Sequence, residues 1–548
     1  MRWRSLASAA LLSCVASLMA LAPVFAQTPL RELIDAETRK AWDREKVAPV
    51  APADDATLLR RLYLDLCGAI PTLDEAKAFI DDKSADKVDK LIDRLIADPR
   101  FAQHQADLWD MIYFGRNPPG FDSGKREGFQ KFLRDSFAKN VAYDEVVRKI
   151  LRAEGNTAEE GAPMYLVQYD RHPEDAAMAV SQTFLGVQLQ CARCHDHPYE
   201  NWTQKDFYGM AAFFVRLNAV KAGKAGNSEK IYVGEMNTGE VKFTGKASEA
   251  TPGKDGEPVK PKFLTSVSLE EPDLKKEFKD EKRHSDGKVP APPKFSRKNQ
   301  LADWVVSPEN PYFAKAAVNR FWSQYFGRGL VHPVDNMSPS NAATHPELLD
   351  EMTKAFVAKK YDMKWLIGEF CRSKTYQLGA NGEVADSLPQ WYQRARTRPL
   401  SAEELLESWR IATGFEEVTK RSGKKQEGRY YGLTFDYIKN FFGEPVNGVG
   451  DFQGGLSEHL YLNNGELSRL FTTEKGGLLD TLSGTSETPE SRVEKLFLAV
   501  LSRRPSEAET TKFVEYLNVG DKEKEKRSER IREAIWALMT CSEFRFNH

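Results

Sequence analysis

The chain has 548 residues, of which 29% are charged, and a formal net charge of only −2. That length is too great for one compact core, so several domains are expected. Acidic residues are interleaved with the basic ones, leaving no basic excess for a phosphate-binding surface, and this argues against nucleic acid as a partner.

The first 26 residues stand apart from the rest. Arg2 and Arg4 precede an apolar run from Leu6 to Phe25, and Val24-Phe25-Ala26 offers small residues just before Gln27. This is the layout of a secretory signal peptide. An uncleaved anchor is the rival reading, but Pro23 and the small-residue site favour cleavage. A lipoprotein site at Cys14 is weaker, because the apolar stretch continues past it. The mature protein is therefore expected to be exported, periplasmic or extracellular, with no transmembrane segment after cleavage. It keeps five cysteines: Cys67, Cys191, Cys194, Cys371 and Cys541. Scattered as they are, they do not form a disulfide framework for a chain of this size.

From residue 27 to 218 the pattern is helical. Apolar residues recur at three- and four-residue spacing in Leu58, Leu59, Leu62 and Leu66, and again in Val88, Leu91, Ile92 and Leu95. Pro71-Thr72-Leu73-Asp74-Glu75 reads as a helix start with a capping box. Pro505-Ser506 followed by Glu509 repeats that layout after another apolar helix. The pair reads either as a duplicated helical hairpin or as two products of the same capping chemistry.

Between residues 219 and 296 Gly, Lys and Pro become common. Strands are expected at Glu240–Thr244 and Phe263–Ser268. Helical signals return from Arg297 and continue to residue 548, with Pro346 well placed to open a helix. Trp304, Trp322, Trp365, Trp409 and Trp536 fall on apolar faces and read as core. The expected fold class is mainly α, with two helical domains at 27–218 and 297–548. A small β-containing or irregular insert at 219–296 lies between them.

One segment carries distinctive chemistry: Cys191-Ala192-Arg193-Cys194-His195. Two thiols one turn apart can each add to a haem vinyl group, and the adjacent His195 is then placed as proximal ligand to the iron. Helical stretches at Ala176–Gln190 and Asp206–Leu217 flank it. Met236 is the first choice for the distal ligand, with Met210 and Met164 as competitors that more often simply pack. The alternative is a zinc or iron site built from Cys191, Cys194, His195 and His197, whose spacing is tight for a tetrahedral shell. A redox-active thiol pair is a third reading. Near Arg320 and Arg328 the polar residues His332, Asp335 and Asn336 offer anion or sugar binding, or else buried ion pairing. Hydrolase, zincin and phosphate-loop motifs are missing from the sequence.

At this point a resemblance enters. Arg61-Leu62-Tyr63-Leu64-Asp65-Leu66-Cys67-Gly68, the stretch Phe184 to Pro198 around the two thiols, and Asp206-Phe207-Tyr208 resemble the first domain of the planctomycete-type cytochrome-associated proteins. These proteins pair domain of unknown function 1549 with domain of unknown function 1553. Asn310 to Trp322, Phe326-Gly327-Arg328-Gly329-Leu330-Val331 and His345-Pro346-Glu347-Leu348-Leu349 resemble the second domain. The resemblance implies an exported, cytochrome-like protein of unsettled activity carrying haem c. Redox proteins or polysaccharide-associated proteins would be its partners. Tyr461-Leu462-Asn463-Asn464-Gly465 departs from the commoner Thr-Pro-Leu-Gln-like pattern. Two function classes stay open: a haem protein for electron transfer or redox chemistry, and a helical binding scaffold whose Cys/His cluster holds a metal.

Overall fold

The computed structural model describes residues 28–115, 120–121, 123–226, 228–243, 256–382, 388–414, 442, 456–464, 476–484, 487–518 and 524–548. The signal-peptide expectation at residues 1–26 lies outside them. Within them the chain is mainly helical, with three small two-stranded antiparallel sheets.

The first block comprises α1 (Leu30–Glu45), α2 (Asp55–Cys67), α3 (Leu73–Asp81), α4 (Lys87–Ala97), α5 (Pro99–Phe114), α6 (Ser123–Ala138), α7 (Tyr143–Arg152), α8 (Met164–Val167), α9 (Pro173–Leu185) and α10 (Gln204–Ala211). In α2 every residue from Leu58 to Cys67 is buried. Asp54 caps its start by accepting the Thr57 N–H at 2.8 Å. Gly68 ends it in the left-handed region at φ 67°. A side chain there would also strike the His104 ring at 2.4 Å, so glycine serves two needs at once.

The insert opens with the hairpin β1 (Leu217–Ala225) and β2 (Ser228–Glu235), which sets Val220 opposite Tyr232. The expected strand near Val241 is present as β3 (Val241–Phe243), paired with β4 (Glu257–Val259). The second expected strand, at residues 263–268, is not formed. Phe263 N–H donates to Val267 O at 2.9 Å and Ser266 takes φ 67°, which closes a turn. Phe263 is held by stacking on Phe213 and Trp304, at 4.9 and 5.0 Å, and not by a sheet. The helix expected to reach Leu217 stops at Ala211, because the chain must turn into β1. Glu235, 1% exposed, accepts from Arg297 N–H at 2.6 Å and Ser296 Oγ at 2.5 Å, pinning the insert to the next helix.

The second block holds α11 (Arg297–Val305), α12 (Phe313–Phe326), α13 (Pro346–Ala358), α14 (Met363–Arg372), β5 (Arg398–Pro399), α15 (Ala402–Thr413), α16 (Leu456–Asn464), α17 (Leu478–Ser483), α18 (Pro489–Leu501), α19 (Glu507–Asn518), α20 (Lys524–Thr540), α21 (Ser542–Arg545) and β6 (Phe546–Asn547). Apolar packing groups these elements in its own way. The helices α11–α14 share one hydrophobic core with the first block, while α15–α21 build a second core that also takes Leu64 and Ile70. Trp322 and Trp409 are fully buried and Trp304 and Trp365 pack against the main core. Trp536 differs from expectation: it is 37% exposed, and its indole N–H donates to Leu462 O at 3.2 Å. With that polar atom satisfied, the ring can lie on the outer face of α20.

The two helical hairpins match at a constant offset. Thr488 caps α18 as Asp54 caps α2, and Ser502 ends it in the left-handed region as Gly68 does. Thr72 and Glu75 exchange two capping bonds of 3.2 and 2.8 Å, and Ser506 and Glu509 exchange two of 3.3 and 2.7 Å. Each capping glutamate is also held by an arginine lying over an aromatic ring. Arg100 meets Glu75 and covers Tyr63, while Arg503 meets Glu509 and covers Phe497. Helices α3 and α18 pack on one another, so the two hairpins are neighbours.

Candidate functional site

Helix α9 leads into the cysteine segment. Gly186 turns the chain at φ 67°, and Val187 and Leu189 bury their side chains at 4% and 1% exposure. A 3-10 turn, Gln190–Arg193, follows, anchored by the fully buried Ala192. Cys191 lies within this turn and Cys194 directly follows it as its C-cap. Both thiols are exposed and unpaired.

His195 is exposed as well, and its Nδ1 lies 2.7 Å from Asp196 O. A carbonyl oxygen only accepts, so Nδ1 carries the ring proton and Nε2 keeps its lone pair. His197 is set the other way. Its Nδ1 accepts the backbone N–H groups of Tyr199 at 3.3 Å and Glu200 at 3.0 Å, which puts the neutral ring's proton on Nε2. His195 thus offers a free donor nitrogen, whereas His197 is committed to shaping the turn.

The turn is fastened to α10. Arg193 O accepts from Gln204 Nε2 at 3.3 Å and from Tyr208 Oη at 3.2 Å, and the Asp196 carboxylate accepts the Gln204 N–H at 2.9 Å. Thr203 and Asp206 form the capping box of α10. Burial works against the Asp206 charge, but bonds from Lys262 and Thr203 outweigh it and hold the carboxyl below the ordinary range. On the other side, Arg193 reaches Asp175 of α9 at 3.4 Å.

A loop of the second block completes the neighbourhood. Asp335 accepts from the side chains of Gln182 and Gln188, the latter at 3.2 Å. Met337 N–H donates to Gly186 O at 2.7 Å, and Ser340 Oγ donates to Glu200 at 2.9 Å. Arg320, expected in anion binding or ion pairing, instead donates to the carbonyls of Gln182 and Thr183 at the end of α9. Nothing in the sequence marks Met337 or Ser340, because the loop lies far from the cysteines along the chain, and Glu200, close to them, gives no sign of its distant partner Ser340.

The other expected ligands are buried, and one of them, Met210, lies on α10, the helix that holds the turn. Met236 follows β2 and is 7% exposed, and β2 packs on β1, α6 and α8, while the 3-10 turn packs on α10. Met164 and Met210 are buried in the main core. Among the described residues, no three His, Cys, Asp or Glu side chains converge closely enough to hold a metal ion, so Cys191, Cys194, His195 and His197 are not drawn together into one shell.

Residues 33–219 match the family model described as PSCyt2, protein of unknown function (DUF1549). Residues 297–431 match PSD1, protein of unknown function (DUF1553). The chain carries both domains, in that order. No curated protein and no solved structure matches it significantly. The cysteine segment thus belongs to the DUF1549 part, and the loop that clasps it belongs to the DUF1553 part. Among the described residues no helix is long and apolar enough to cross a membrane.

Proposed function

We propose that the DUF1549 part carries one covalently attached haem c and serves electron transfer or redox chemistry in an exported protein. The observation that carries this reading is the contrast between the two histidines. His195 presents a lone-pair nitrogen directly after two exposed, unpaired thiols. His197, which a zinc or iron shell would also need, has its ring fixed by two backbone N–H groups. Recruiting it would break both bonds.

In this reading Cys191 and Cys194 would hold the haem through thioether bonds and His195 would face its iron. Asp196 O orients the His195 ring and favours the tautomer a metal ligand requires. Haem held there supplies a one-electron iron couple. Covalent anchoring suits a protein that must keep its cofactor outside the cytoplasm, in accord with the leader-like residues 1–26. The turn is exposed, which suits exchange of electrons with a partner protein.

The test is the visible spectrum of protein matured in a host with haem-attachment machinery. A Soret band, with haem retained on a denaturing gel and lost in Cys191→Ser/Cys194→Ser, is expected. Absence of both signals in the unsubstituted protein sinks the reading. Stoichiometric zinc in haem-free, folded protein would turn it toward the metal scaffold.

A further inference from the structure

The loop that clasps the cysteine segment comes from the other domain, and its attachments fall on both flanks of the motif. Met337 N–H binds Gly186 O at 2.7 Å, on the stretch that enters the turn. Ser340 binds the Glu200 carboxylate at 2.9 Å, on the stretch that leaves it. Between these points Gln188 donates to Asp335 at 3.2 Å. The loop is stiff in its own right. The buried Asn319 holds Val331 N–H and Val331 O, both at 2.9 Å, and Asn341 holds Asn336 O at 2.9 Å.

We infer that the DUF1553 loop is part of the haem site and that Met337 supplies the second axial ligand. The inference rests on the haem reading above. Met337 is half-buried, and its side chain lies so close to Gly186 that a Cβ there would meet its Cγ at 2.6 Å. The glycine that turns the chain toward the cysteines is therefore also the surface against which this thioether rests. Met164, Met210 and Met236 are 3%, 0% and 7% exposed, and to ligate they would have to leave tight packing. Met178 is also half-buried, one turn along α9 from Asp175, the partner of Arg193. Both pack against the main core, but Met178 is carried on helix α9, while Met337 sits on the loop bonded to the flanks of the motif at Gly186 and Glu200. A thioether sulfur opposite an imidazole is a soft ligand that raises the iron potential relative to a second imidazole.

The test uses full-length protein matured with haem-attachment machinery. Three readouts are taken: thioether-bound haem by the pyridine haemochrome, the red charge-transfer band of methionine-ligated ferric haem, and the reduction potential. Met337→Leu should keep the covalent haem, lose the band and shift the potential downward. Met337→His should give a two-imidazole spectrum, which shows that the position reaches the iron even if the leucine variant folds poorly. Met178→Leu should retain the band. A band unchanged in Met337→Leu, or lost in Met178→Leu, overturns the inference. If the unsubstituted protein holds no thioether-bound haem, the haem reading itself fails and this inference falls with it. If it holds haem but shows no methionine band, only the assignment of Met337 fails.

Discussion

Two polar clusters of the first block invite comparison: the buried one around Asp65 and the exposed one around Cys191. Asp65 accepts from Tyr376 Oη at 2.8 Å, Arg398 Nη2 at 2.9 Å and Asn547 Nδ2 at 2.7 Å, and Arg398 in turn grips Glu404 with two bonds of 2.7 Å. Each partner arrives from a distant part of the chain, and both carboxylate oxygens are engaged. Burial still pushes the Asp65 carboxyl above its ordinary range despite Arg398. The cysteine turn is the reverse, with its thiols unpaired and one imidazole nitrogen free on the surface. A buried carboxylate with both oxygens engaged closes a fold, whereas the exposed turn leaves its thiols and one ring nitrogen to solvent.

Substitutions should separate the two clusters. The largest effect is expected from Asp65→Ala, which leaves Arg398, Tyr376 and Asn547 facing a hole. A loss of about 3–5 kcal/mol in chemical denaturation is expected, with the haem content per folded molecule unchanged. A loss below about 1 kcal/mol would break the contrast.

Acid should act next, and only on the buried side. Burial, the leading cause, lowers the His104 pKa to about 4, with Glu404 and Arg398 nearby. A depressed folded pKa means that stability is intact above about 6.5 and is lost as pH falls toward 4, by about 3 kcal/mol at most. His104→Leu should flatten that part of the pH–stability curve. A curve that keeps its slope in the variant would assign the acid sensitivity elsewhere.

Capping gives a smaller, paired effect. Thr72→Ala and Ser506→Ala should each cost about 1 kcal/mol, since both hydroxyls cap by the same geometry. Clearly unequal losses would show that the matched hairpins carry unequal loads. Smallest of all in stability are Cys191→Ser and Cys194→Ser, expected within about 0.5 kcal/mol by thermal melting while thioether haem is abolished.

Much of this was legible in the sequence wherever the signal is local. The 3.6-residue spacing of Leu58, Leu59, Leu62 and Leu66 gave α2, and Thr72 with Glu75 marked the next start, bond for bond. The two-thiol, one-imidazole motif is equally local, so its candidates were readable at once. Phe263 breaks its strand-like pattern because aromatic contacts with Phe213 and Trp304, neither near it in the chain, decide its backbone. Met337 and Glu200 likewise have partners far along the chain, Gly186 and Ser340. Asn336 and Asp335 stood out as polar, but only folding shows that Asp335 meets Gln182 and Gln188. Met236, which follows β2, is buried at 7% exposure.

The attachment of the tail to α2 has a consequence for biogenesis. Arg60 donates to Phe544 O at 2.7 Å, across 484 positions, and Arg61 donates to His548 O at 3.3 Å. Contacts of such separation form late, because the loop between them must be closed first. A folding chain would therefore display residues 191–195 long before its second helix is sealed. On the haem reading proposed above, an attachment enzyme would meet that stretch as a pliable strand rather than as a finished surface, and the last residues to arrive would lock the fold shut.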